Sequence, residues 1–547
     1  MSASATRDDW LAAVAKALRV EPDAALDRLQ STTYDGIIIE PLYTAADAPD
    51  PLVRPATRRG PWDVRQVVDA AAGPGRAVEE LERGATSVVL DLTGVAEITA
   101  DVVATALDGV LLDVATVVLH AGPRWREAAE AFTPSTGTHG LGADPIGEAV
   151  DLDLTVLGEC FRRDDGLRVV TVDATRYHDA GASDAQQLGC AVAVLVDYVR
   201  ALGDVGVDPD IVLGRSEVRV AATADQFATI AAIRALRRLC AHVAEVVGAS
   251  ATPPIHAVTS RAMMSRYDPW VNALRSTVAC FAAGVAGADA VTVLPHDGLR
   301  QPTELGRRIA RNTQSILIAE SHLAEVADPA GGSWYVERLT DQLAEAAWTW
   351  SQEIDKAGGF RRAVEDGLVA ERIASTAAAR QRDIDTRRAP LTGVSEFPNV
   401  AEAPAPQLPG TDGPLAPHRW AEGFEALRSR VERSEAPPMV FLATIGPPAA
   451  FTSRATFAEN FFGIAGLPCT RGPAAGFRAS GARIACICST DALYAEHAAE
   501  VAAQLEAAGA DAVYLAGRPQ AGIDRTIHAG MDARAALSEV LDLLEIP

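Results

Sequence analysis

Histidine is scarce in this chain, ten in 547 residues, so few places pair an imidazole with another group that handles protons. Tyr177 and His178 are adjacent and follow an apolar run that reads as a strand. A histidine at the carboxyl end of a barrel strand is an active-site candidate, set against the plainer role of a satisfied structural side chain. His256 stands in His256-Ala-Val-Thr-Ser-Arg261, again on a strand-like run. The seven cysteines, at 160, 190, 240, 280, 469, 486 and 488, form no C-x-x-C pair and no zinc-ligand spacing with histidine. They read as reduced thiols. Cys486 and Cys488 would share one strand face as small buried apolar groups. The glycine-rich Asp328-Pro-Ala-Gly-Gly-Ser333 lacks the G-K-[ST] of a phosphate loop and reads as a turn beside a seventh strand. The basic stretch RRIARNTQ at 307–314 reads as an ion-pair face, and Trp348 and Trp350 as packing residues.

The elements that must hold these residues alternate regularly. β-Branched runs occur at 87–92, 116–121, 168–174, 218–223, 255–260, 289–295, 323–328 and 391–397. Most are continuous apolar runs, as parallel strands buried on both faces require. Helical patterns lie between them, one opening at the capping box Ser183-x-x-Gln186 and another at Thr223-x-x-Gln226. Eight strands alternating with helices predict a (β/α)8 TIM barrel over residues 71–400. Residues 1–70 read as an N-terminal helix and an extended arm rich in Pro, Gly and Asp. A Pro/Ala-rich linker at 401–437 carries one helix from Trp420. A second alternation at 438–547, with strands at 439–445, 482–488, 511–516 and 525–529, predicts a flavodoxin-like α/β domain.

Composition bounds the function. Lys plus Arg is 49 against 73 Asp plus Glu, a net charge of −24. So acidic a chain lacks the clustered positive charge that nucleic acid or anionic membrane demands. No 18-residue apolar stretch and no signal-type N-terminus is present, so a cytoplasmic location is expected.

The order barrel, linker, open α/β domain is similar to the architecture of cobalamin-dependent acyl-CoA mutases. TTYDGIIIEPLYT at 32–44, RYHDAGA at 176–182, PTELGRRIARNTQSILIAES at 302–321, VADPAGGSWYVERLT at 326–340 and TGVSEFPN at 392–399 resemble family segments in the family's order. The chain is identified as a member of the methylmalonyl-CoA mutase family. Through residues 259–297 and 444–462 it resembles most closely the small (beta) subunits of the heterodimeric bacterial enzymes.

The resemblance implies a D-x-H-x-x-G loop after the first strand of the second domain, whose histidine ligates cobalt. Here that loop reads Gly446, Pro447, Pro448, Ala449, Ala450, Phe451, and no histidine lies between 419 and 496. Pro, Ala and Phe offer cobalt no nitrogen. DALYAEH at 491–497 has the wrong spacing to replace it. The domain is therefore expected to be degenerate: no cofactor-binding residue, no metal ligand, and no catalytic residue in this chain. Tyr177, His178 and His256 are then vestigial barrel-site candidates. His178 runs into Asp179-Ala-Gly with two residues fewer than the family spacing, and Arg261 is placed where it would obstruct the pantetheine channel.

Three functions follow from the resemblance. The leading one is a non-catalytic small subunit, its arm laid on a large catalytic subunit that carries adenosylcobalamin and interconverts methylmalonyl-CoA and succinyl-CoA. The alternatives are an autonomous cobalamin-dependent acyl-CoA mutase and a regulatory module that senses acyl-CoA.

Overall fold

Eight parallel strands close into a barrel: β1 (Asp63–Asp69), β2 (Ser87–Asp91), β3 (Thr116–His120), β4 (Gly140–Ala143), β5 (Arg168–Asp173), β6 (Ser216–Ala222), β7 (Ile255–Thr259) and β8 (Ala290–Thr292). Each pairs with its sequence neighbours, and β8 returns to β1 through Ala290↔Asp63 and Val291↔Val64. The computed structural model describes residues 6–546 except 50–57, 135–136, 164–165, 301, 405, 407, 409–412, 435 and 521.

Six of the eight predicted barrel strands are present. The other two are corrected: residues 323–328 form turns, and 391–397 form a tight loop with a single bridge, Thr392↔Glu396. The barrel closes instead with β1, inside the stretch read as an arm, and with β4, a four-residue strand that the apolar patterning did not mark. It therefore begins at Asp63 rather than 71. The Asp328 turn follows no strand; Asp328 has φ +48 and its carboxylate is ion-paired with Arg234.

The helix Asp184–Asp204 opens at the predicted Ser183/Gln186 capping box. It is buried along most of its length, between the strands and the helix Trp334–Lys356. Gly189 permits that contact, since a Cβ there would lie 2.6 Å from Trp350 Cδ1 and 2.7 Å from the Ala347 carbonyl. The helix Gln226–Val247 is capped by Asp225 rather than Thr223, whose hydroxyl meets Thr229. The basic stretch at 307–314 is an ion-pair face against the barrel: Arg307 pairs with Glu304 and buried Arg311 with Glu80.

The described part of the arm lies on its own barrel. Ser31–Thr32 and Ile38–Ile39 form a short antiparallel hairpin. The Asp35 carboxylate accepts from Ser183 Oγ and, at 3.2 Å, from Ala185 N, so the arm helps cap the helix Asp184–Asp204. Tyr34 donates to Asp383 at 3.1 Å, and Tyr43 stacks near Tyr335.

After the barrel the chain crosses its carboxyl-end mouth. His418 N donates to the Asp179 carbonyl at 2.7 Å and Trp420 N to that of Ala262 at 2.9 Å. The helix Glu422–Glu432 follows, its buried Glu425 accepting from Arg266 N at 2.6 Å. A second sheet contains β9 (Val440–Thr444), β10 (Cys469–Gly472), β11 (Ile484–Cys488), β12 (Ala512–Ala516) and β13 (Thr526–Ile527). All pairings are parallel, in the order β10-β9-β11-β12-β13. Sequence patterning missed only β10, a short edge strand with a polar half, Thr470 and Arg471.

Candidate functional site

The barrel lumen is charged. Arg65 on β1 reaches Glu217 on β6 with Nη1–Oε distances of 2.9 and 3.0 Å. Those strands are not neighbours, so the pair spans the axis. Arg65 also donates to Asp63 Oδ2 and Ser87 Oγ. His256 on β7 sits in this network, its Nε2 2.8 Å from Thr292 Oγ1 and its Nδ1 3.3 Å from Arg219 Nε and 3.4 Å from Arg65 Nη1. Arg219 Nε donates to Nδ1, and the Glu217 carboxylate also lies 3.4 Å from that nitrogen, so His256 is tied to both charges of the layer. Burial, and then Arg65, lower the His256 pKa to about 4. Burial alone would raise the Glu217 carboxyl, but Arg65 outweighs it and holds that carboxyl well below the usual range. Arg219 completes the layer through Asp173, 3.0 Å away.

This layer closes the axis at the level of Arg65. Val67, the next residue on the same strand face, is 43% exposed, so the lumen opens toward the carboxyl ends. Arg261 is not the plug that the sequence suggested. Its side chain is exposed at the mouth, near Asp179, and the obstruction comes from β1, β6 and β7.

Tyr177 and His178 lie just past the apolar run at 168–174, on the short helix Thr175–Asp179 after β5. Consecutive helical residues point about 100° apart, and here the two separate. Tyr177 turns outward; its hydroxyl donates to the Gly147 carbonyl at 3.2 Å and its ring meets Phe360. His178 turns toward the mouth, with Nε2 2.7 Å from Ser260 Oγ and its ring 6.2 Å from that of Trp420. Burial, and then Arg380, lower its pKa to about 3. An imidazole so weakly basic is neutral at neutral pH, and its contact with Ser260 is a buried hydrogen bond between uncharged groups.

His178 lines a cavity of about 370 Å³ beneath the arm, with Tyr34, Asp35, Asp184, Arg380 and Trp420 among its walls. Burial, and then the neighbouring Asp35, push the Asp184 pKa up to about 7. Neither Tyr177 nor His256 lines this cavity, so the three sequence candidates do not converge on it. Its other walls come from the arm and from distant helices, and no local sequence pattern marks Asp184, Arg380 or Trp420 as neighbours.

In the second domain the topological switch lies between β9 and β11, where open parallel sheets receive ligands at the carboxyl ends of their strands. That crevice is filled. Ser489 Oγ donates to the Ile445 carbonyl at 2.9 Å. The Tyr494 hydroxyl accepts from Ser489 N at 2.7 Å and lies 2.9 Å from the Ala516 carbonyl. Arg454 Nη1 donates to the same carbonyl at 2.6 Å and Nη2 to Asp491 at 3.0 Å. Gly517, at φ +156, stands so close that a Cβ would lie 2.2 Å from Arg454 Nη1.

The loop itself is short. Gly446 (φ +83) turns the chain against Leu493, Pro447 is the N-cap, and the helix Pro448–Ile464 begins at once. Phe451 packs toward the sheet core rather than into the crevice. His497 is exposed on the helix Asp491–Ala507, beside Glu496. The residues present do not fit a corrin with a protein nitrogen ligand, and among the described residues no group of three or more His, Cys, Asp or Glu could hold a metal ion.

The family model described as methylmalonyl-CoA mutase matches residues 145–440. The chain is 46% identical to the methylmalonyl-CoA mutase small subunit of Streptomyces virginiae, covering 99% of this chain and 97% of that one. It is 37% identical to the small subunit of Propionibacterium freudenreichii subsp. shermanii, over 99% and 95%. The chain belongs to the methylmalonyl-CoA mutase family.

Within that family its full-length likeness is to small subunits. The match to the Escherichia coli protein named methylmalonyl-CoA mutase is 33% identical but covers only 42% of this chain and 33% of that protein. The family-model match takes in His178 and His256 and stops at Val440, the first residue of β9. The filled crevice and the short ligand loop thus lie beyond the span held in common with the family model.

Proposed function

We propose that this chain is the non-catalytic small subunit of an adenosylcobalamin-dependent methylmalonyl-CoA mutase. It pairs with a large catalytic subunit that holds the cofactor and interconverts methylmalonyl-CoA and succinyl-CoA. Its second domain is a degenerate flavodoxin-like domain, whose 2-1-3-4-5 strand order is that of the flavodoxin class. Its cysteines are free, consistent with a cytoplasmic location, and among the described residues no helix is long and apolar enough to cross a membrane.

One observation carries the reading. Where a nitrogen ligand would have to stand, the helix starts at Pro448, and the crevice behind it is occupied by Tyr494, Ser489 and Arg454. The barrel supports the same conclusion. The Arg65–Glu217–His256 layer crosses the axis along which a thioester arm would thread.

The test uses the full chain alone and co-expressed with the large subunit. After incubation with adenosylcobalamin and gel filtration, the lone chain is expected to emerge without corrin absorbance and without mutase activity, and the pair with both. Stoichiometric corrin on the lone chain would overturn the proposal.

A further inference from the structure

The arm is fastened to the barrel at its tip rather than along its length. Its hairpin turns at residues 33–36, with Gly36 at φ +77 and its N–H donating to the Thr33 carbonyl at 3.0 Å. The two strands contribute only the pairs Ser31↔Ile39 and Thr32↔Ile38, and Ile38 is half exposed. The tip carries the anchors. Ile37 is buried in the apolar cluster of the barrel. The Arg380 guanidinium lies over the Tyr34 ring, 4.9 Å from its centroid, while the Tyr34 hydroxyl donates to Asp383. Asp35 accepts from Ser183 Oγ and Ala185 N at the start of the helix Asp184–Asp204. So few contacts make the hairpin a unit that can lift while the barrel stays folded.

That seat brings two carboxylates together. Asp184 follows Ser183 directly and lines the same cavity of about 370 Å³ as Asp35. Its carboxylate is buried, and Asp35 and then Asp225 face it with like charge; Arg380 faces it as a cation and offsets only part of this. Burial raises the Asp35 carboxyl as well, against its bonds to Ser183 and Ala185. The other groups around the cavity are committed. Asp225 caps the helix Gln226–Val247 through Ala228 N, and Asp383 is paired with Arg388. Tyr34 and Tyr335 are pushed up to about 12 and His178 down to about 3, so none of the three changes charge near neutral pH. Asp184, pushed up to about 7, does.

We propose that the hairpin at 31–39 is a proton-controlled strap over this cavity, seated while Asp35 and Asp184 share a proton and lifted when both are charged. Seated, the two carboxylates are held near each other and away from water, and both effects raise the proton affinity of the pair. Lifted, Asp35 moves into solvent and Asp184 loses its neighbour, so both return toward the ordinary carboxylate range. Between the lifted and the seated values the seated form binds more protons, so rising pH favours lifting across that window. Above the seated value of about 7 the effect levels off. Lifting opens to solvent a chamber walled by Arg380, Trp420 and the neutral His178. The strap is a property of the free chain and does not depend on the small-subunit reading.

Hydrogen exchange of the full chain between pH 6 and pH 8, read by mass spectrometry and divided by the intrinsic rate at each pH, gives the opening constant of the strap. The reporters are Ala185 N, which donates to Asp35, and Thr33 N and Ile37 N, which bond to the Ile37 carbonyl and Thr33 Oγ1. A lifted two-stranded hairpin does not hold its own bonds in water, so all three amides exchange on lifting. In the parent the opening constant is expected to rise at least fivefold from pH 6 to pH 8, within the limit of about tenfold per pH unit set by one proton. Asp184→Asn has the shape of the protonated carboxyl without its charge. It is expected to keep the strap seated and to hold the rise below twofold. A parent opening constant that changes less than twofold would overturn the proposal whether or not the variant folds. A fivefold rise that survives in Asp184→Asn would overturn it as well.

Discussion

Replacing His178 by glutamine should flatten the acid sensitivity of the chain. The folded imidazole has a pKa of about 3, against about 6.5 in an unfolded chain. Between those values the unfolded chain binds a proton that the folded chain refuses, so stability rises with pH across that window. Above pH 6.5 neither state binds the proton and the contribution is flat. As the pH falls through 6.5 toward 3 the folded state loses ground. The loss is about 2 kcal/mol at pH 5 and about 3 kcal/mol at pH 4, at 1.36 kcal/mol per pKa unit. A glutamine in that place has no proton to refuse, and its amide can still reach Ser260. Urea unfolding of the lone chain, followed by tryptophan fluorescence, reads the effect directly, since Trp420 lies 6.2 Å from the His178 ring. The expected result is that the parent loses about 2 kcal/mol more than His178→Gln between pH 7.5 and pH 5. Parallel pH profiles for the parent and His178→Gln would refute the assignment of a buried, neutral imidazole.

Two further outcomes test the lumen and the crevice. Glu217→Gln leaves the buried Arg65 with Asp63 as its remaining carboxylate partner and should cost about 3 to 5 kcal/mol, while the double change Arg65→Met, Glu217→Leu should recover most of that loss, measured by urea unfolding. Tyr494→Phe removes the hydroxyl that serves Ser489 N and the Ala516 carbonyl and should cost about 1 to 3 kcal/mol, with faster amide exchange at Ser489; unchanged stability and exchange would mean that water substitutes freely in the crevice.

Much of the architecture was legible in the sequence, and the misreadings share a cause. The runs at 168–174 and 255–260 are apolar enough to announce themselves, and both are barrel strands. β1 is not, because Asp63 and Arg65 serve the lumen and Asp69 ends the strand, so it lacks a continuous apolar run. β4 is four residues long and half glycine. The false strand at 323–328 contains Val326, which is 63% exposed, and the one at 391–397 is held by its own loop hydrogen bonds. Local hydrophobicity registers whether a segment could be buried on both faces. It does not register whether a charged side chain has a partner across a barrel, which is what turns Arg65 from a costly core residue into a satisfied one.

The candidate sites divide in the same way. Residue types between 446 and 451 determined by themselves that no imidazole could stand there, because ligand chemistry is a property of the side chain. That Tyr177 and His178 part company, that His256 is held by two arginines, and that Tyr494 and Arg454 fill the crevice were decided only when strands and helices distant in sequence came together. Donor identity is local, whereas direction, burial and partnership depend on neighbours that the chain supplies from elsewhere.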